Sequence, residues 1–127
     1  MFVDRLRSDL LNKLINARLD LAAYLQLRKA KGYMSVSESE HLRDNFFELN
    51  HEIHDKSLRL NLHLDKEEWD ALHHAEDALA TAAVCLMTGH HDCLTFIAVN
   101  AEKLDRALMT LSLSIQCLQM HSPLAHA

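Results

Sequence analysis

Across 127 residues the chain contains only two glycines, Gly32 and Gly89, and a single proline, Pro123. Strand-rich folds need turn-forming residues at nearly every hairpin, and three such residues cannot supply a sandwich or a barrel. Long helices joined by few loops remain, so the chain reads as all-α. Its length suits one domain with a real core, since chains of this size bury somewhat over ~60% of the surface their unfolded form exposes. The expected domain covers residues 1–120. Ser122 and Pro123 open a flexible tail over 121–127.

Apolar residues recur in steps of three and four along four segments. Leu10, Leu14, Ala17, Leu21 and Tyr24 predict a first helix over about 4–31, with a second stripe at Leu11, Ile15, Ala22 and Leu25. Arg28, Lys29 and Lys31 complement its C-terminal dipole, and Gly32 closes it. Ser35 and Ser37 each precede a glutamate by three residues, Glu38 and Glu40, which marks the start of a second helix over about 36–62. Its seam is Leu42, Phe46, Leu49, Ile53 and Leu60, with Lys56 taking one seam position. Asp65 and Glu68 form another capping signal, opening a third helix over about 66–88 with Trp69, Leu72, Ala75, Leu79, Ala82 and Leu86 on one face before Gly89.

The fourth segment has the most regular seam: Leu94, Ile97, Ala101, Leu104, Leu108, Leu111, Ile115 and Leu118. It predicts one helix over about 93–119. The β-branched Thr95, Ile97 and Val99 carry a competing expectation, a short extended segment with the helix starting at Asn100, but an unbroken seam outweighs local propensity. Short linkers place consecutive helices antiparallel, which predicts an up-down-up-down four-helix bundle. A further apolar stripe on the fourth helix, Met109, Leu113, Cys117 and Met120, exceeds what one seam needs. It marks a dimer or partner surface, and a homodimer is the expected assembly.

A formal charge of −5 argues against direct nucleic-acid binding, which depends on clustered cations neutralising phosphates. The one basic cluster with an aromatic beside it, Arg28 to Tyr33, is accounted for by the helix dipole. No segment approaches the roughly 20 apolar residues needed to span a bilayer, and the first residues do not resemble a signal peptide. The expected location is cytoplasmic. Cys85, Cys93 and Cys117 have no paired spacing and read as reduced.

Ten histidines are many for this length. His51 and His54 lie one helical turn apart, yet they lack the spacing of a zincin motif and read as solvated positions beside Ile53. His73 and His74 read as exposed or partner-facing. His90, His91 and Cys93 are weak candidate metal ligands, because a structural zinc wants four donors and the others would have to come from afar, such as His41 or His121. A polar loop with Asp92 capping the next helix explains them as well. A metal- or pH-responsive sensor built on these clusters is the alternative function. No phosphate loop, nucleophile elbow or triad spacing occurs, so no enzyme and no cofactor is expected.

Three stretches carry a resemblance: LAAYLQLRKAKGYMSVSESEHLRDNFF at 21–47, HDKSLRLNLHLD at 54–65 and ALATAAVCLMTGHHDC at 78–93. They resemble the enterobacterial BssR family of biofilm regulators, and the likeness runs from Met1 to about Gln119. In that family proline can follow the cysteine matching Cys93, where this chain has Leu94. The resemblance implies a cytoplasmic regulator that represses biofilm formation when glucose is plentiful. It further implies effects on catabolite repression, stress genes, indole handling, autoinducer-2 transport and quorum signalling, through a protein partner or a small signal. It supplies no catalytic or ligand-binding residues.

Overall fold

The computed structural model describes residues 2–31, 34–60, 63–87, 96–97 and 101–120. Among them are four helices, α1 (Phe2–Lys31), α2 (Val36–Leu60), α3 (Lys66–Met87) and α4 (Ala101–Met120), and two two-residue strands, β1 (Met34–Ser35) and β2 (Phe96–Ile97). The apolar spacing accounts for the packing. Every residue of the α1 seam from Leu10 to Tyr24 and every apolar residue of the α2 seam from Leu42 to Leu60 is buried. Lys56, at the odd seam position of α2, leaves the core for an ion-pair network described below.

α3 packs most extensively, against α2 on one side and α4 on the other. Its composition explains that central place: Ala75, Ala82 and Ala83 have no exposed surface, and such small side chains let two neighbours approach. α1 completes the bundle against α4 and, more sparsely, α2. Its second stripe serves two neighbours, with Leu25 buried and Leu11 and Ile15 partly buried against the core.

The start of α3 shows why the chain folds there. The Asp65 side chain accepts from the Glu68 backbone N–H at 2.8 Å, and the Asp65 N–H donates to Glu68 Oε1 at 3.5 Å. This reciprocal box satisfies donors that a helix N-terminus leaves without partners. Glu68 also receives the Arg7 guanidinium, joining the starts of α1 and α3.

The continuous fourth helix expected over about 93–119 does not form. Phe96–Ile97 is extended and pairs antiparallel with β1, Met34 opposite Ile97 and Ser35 opposite Phe96, and α4 begins only at Ala101. Two physical effects favour this outcome. β-branched Thr95, Ile97 and Val99 suit extended backbone better than helix. Extended backbone at Phe96 and Ile97 also finds hydrogen-bonding partners in the strand at Met34 and Ser35. Asn100, the cap of the competing expectation, and the tail over 121–127 lie outside the described residues.

Candidate functional site

α4 buries Leu104, Ala107, Leu111, Ser114, Ile115 and Leu118. On the far side of the helix Met109, Leu113 and Met120 are 66%, 62% and 63% exposed. These three of the four expected surface residues form an apolar crest along α4. Cys117, the fourth, turns instead toward α3, where its thiol points at the Glu67 carbonyl 3.7 Å away and packs against the core. Burial pushes the Cys117 thiol up, helped by the negative charges of Glu67 and Asp65, so the neutral form is favoured. Cys85 is buried and its thiol is likewise raised. Neither is disulfide-bonded.

Beside the crest runs an open groove between α3 and α4. One half, about 490 Å³, is lined by Glu67, Asp70, Ala71, His74, Thr110, Leu113, Ser114 and Cys117. The other, about 330 Å³, is lined by His74, Asp77, Ala78, Thr81, Lys103, Arg106, Ala107 and Thr110. The first half carries acids and no lysine or arginine. The second adds two cations to one acid. Helical periodicity in the sequence finds the crest, but this charge layout depends on how α3 and α4 rotate against each other.

The histidines do not gather. His41, His51, His54, His63 and His74 are exposed, and His90, His91, Cys93 and His121 lie outside the described residues. Among the described residues no group of three or more His, Cys, Asp or Glu side chains is arranged to hold a metal ion. Two histidines do converge on one carboxylate: His54 Nδ1 is 3.1 Å from Glu76 Oε1, and His73 Nδ1 is 3.6 Å from Glu76 Oε2. Asn50 donates to the Glu76 carbonyl at 2.8 Å, and the Trp69 ring meets His73 edge-on with centroids 4.6 Å apart. Glu76 thus ties α2 to α3. At the other end of α1, Lys31 is 3.2 Å from Glu38, so one cation of the basic cluster is already paired.

A second groove, about 540 Å³, separates α1 from α2 above a floor of Ala17, Phe46 and Leu49. At its edge Lys56 reaches Asp9 at 3.0 Å, Lys13 lies 3.3 Å from Asp9, and both lysines bond Glu52. The Lys56 hydrogen bond holds the Asp9 carboxyl below its ordinary value. Burial opposes the Glu52 carboxylate, but bonds from Lys13 and Lys56 outweigh it and lower its pKa as well. Both lysines are raised, chiefly by the bond to Glu52.

The stability consequence has a definite sign. Carboxylates with lowered folded pKa add stability that is complete above their unfolded values, about 4, and lost as the pH falls through the folded ones. The raised lysines add stability complete below about pH 10 and lost as the pH rises through their folded pKa. Glu52→Gln is therefore expected to cost about 1 kcal/mol at neutral pH, solvent screening holding the loss to that size. Urea titrations from pH 7 down to about pH 2 check this, the difference shrinking as the pH falls through the lowered folded pKa values. A difference from wild type that stays the same down to about pH 2 would show that the network is not its source.

Residues 1–126 match the family described as biofilm formation protein (YliH/bssR). The biofilm regulator BssR of Escherichia coli K12 is 77% identical over 127 residues, the whole of both chains. Those of Escherichia coli O157:H7 and Shigella flexneri are equally similar over the same full length. No solved structure matches.

Proposed function

The chain belongs to the YliH/bssR family of biofilm formation proteins, and from that membership we propose that it regulates biofilm formation by binding, without catalysing a reaction. The observation that carries this reading is 77% identity along the full length to proteins named biofilm regulators. Identity of that degree along the whole of both chains makes a common mode of action the economical inference.

The finer reading adds repression of biofilm when glucose is plentiful, with effects on catabolite-repression, stress, indole and autoinducer-2 genes through a protein partner or small signal. Its support is the resemblance in the three stretches quoted above. A cytoplasmic location is part of this reading, supported by the absence, among the described residues, of any helix long and apolar enough to cross a membrane. So is a single domain over 1–120 with up-down-up-down order. Lys56 meeting Asp9, Tyr24 meeting Ser39 and Cys117 meeting the Glu67 carbonyl are all contacts that antiparallel neighbours make.

Deleting the gene and restoring it from a plasmid tests the reading. Static biofilm mass is expected to rise in the deletion strain grown with glucose and to return to the parental level on complementation. Equal biofilm in parent and deletion strain, with and without glucose, would overturn it.

A further inference from the structure

We propose that the α3–α4 face binds a second copy of this chain, antiparallel, with the α4 crests of the two protomers packed against each other about a two-fold axis that runs across the helices. This deepens the binding role argued above by naming a partner, and it rests on that reading only for its biological use.

Three features of the face point to a copy of the chain. First, ridge and groove lie side by side. Met109 and Leu113 stand out from α4, and the neighbouring groove is floored by Ala71, Ala78, Ala107 and Ser114, all at most 5% exposed. A two-fold axis across the helices lays the two crests antiparallel, so that the protruding side chains of one interleave with those of the other, the usual way helices interlock.

Second, the groove is electrostatically polar along its length. Glu67 and Asp70 line one half, Lys103 and Arg106 outnumber Asp77 in the other, Arg106 also lying 3.9 Å from the exposed Glu102, and His74 and Thr110 lie where the halves join. A two-fold axis near that junction sets the acidic half of each protomer against the cationic half of its partner. Parallel docking would face acid with acid. Complementary charge of this kind fixes register more than it adds affinity.

Third, the size is adequate. α3 and α4 have 22 and 20 residues, and two adjacent helices about 30 Å long present a face of roughly 600 Å². That is of the same order as the ~800 Å² each partner contributes to a standard interface. The other large exposed apolar side chains include Leu19, Leu27 and Leu58, which lie on α1 and α2 away from this face.

The test is sedimentation equilibrium of the full chain at micromolar concentration, with circular dichroism as a folding control. Wild type is expected at twice 14.5 kDa. Leu113→Glu should weaken association by about thirtyfold or more, as loss of a central apolar contact does. Arg106→Glu and Asp70→Lys should each weaken it by about tenfold, because each copy then repels its twin at both ends. An equimolar mixture of those two variants should regain wild-type association, since only the mixed dimer pairs opposite charges at both ends.

A wild type that stays monomeric, a dimer indifferent to Leu113→Glu, or a mixture that does not recover would each overturn the proposal. Failure here is distinguishable from failure of the functional reading. A monomeric protein that still complements the deletion strain would leave biofilm regulation standing, and a dimeric one whose deletion has no biofilm effect would leave the interface standing.

Discussion

Arg7→Met is expected to destabilise the protein by about 3–5 kcal/mol at neutral pH, because it leaves a carboxylate in an apolar pocket without its cation. Glu68 has a side chain only 6% exposed, and Arg7, its partner from α1, is 20% exposed. Around them stand Leu10, Leu11, Leu60, Leu64, Leu72 and Leu118, so water can replace little of what the guanidinium provides. The capping bond to Asp65 cannot neutralise the charge. Removing both charges together, as Arg7→Met with Glu68→Leu, should recover most of the loss, since a well-packed apolar pair often matches a buried ion pair. The double variant should still fall short by about 1 kcal/mol for the broken capping box. Urea unfolding of the two single variants and the double variant measures the coupling directly. If Arg7→Met alone lies within about 1 kcal/mol of wild type, Glu68 is hydrated and the pair is not the clasp described.

The residues that were legible in the sequence are those whose role is local. The α1 and α2 seams, the Asp65 and Glu68 box and the helix end at Lys31 are all written within one or two turns, and each appears where the spacing puts it. Arg7 and Glu68 are 61 positions apart, and no short-range pattern connects them. The same limit explains the fourth helix. Its seam continues backward through Ile97, but what decides that segment is an extended partner at Met34 and Ser35, invisible to any local period.

The candidate site divides along the same line. Met109, Leu113, Cys117 and Met120 look like one stripe because they follow one another in steps of four, four and three. At about 100° per residue, with Met109 as zero, Met120 lies near 20°, Leu113 near 40° and Cys117 near 80°. That drift carries Cys117 off the crest and into the groove beside α3, where its thiol meets the Glu67 carbonyl. The crest was readable. The charge order of the groove was not, because Asp70 and Arg106 become neighbours of one surface only through the packing of two helices.

The second large effect is expected at Phe46, the bulkiest of the fully buried side chains, at 1% exposure. Phe46→Ala should cost about 3–5 kcal/mol through lost transfer energy and a cavity the surroundings fill only partly. Collapse is especially poor here, because α1 packs on α2 sparsely and Phe46 forms the floor of the groove between them. A loss of that size lowers the melting temperature by about 10–20 °C in a chain of this length. The adjacent Phe47 is the matched control: it is 39% exposed, and Phe47→Ala should stay within about 1 kcal/mol of wild type. Calorimetry of the two variants decides, and comparable losses would mean that α2 does not present Phe46 inward as described. The distinction also governs how biofilm assays are read. Phe46→Ala would lower the amount of folded protein in the cell and so weaken any activity without touching a binding surface. Leu113→Glu, at an exposed position, changes the surface while leaving the core intact, so only its phenotype at normal abundance bears on how the protein acts.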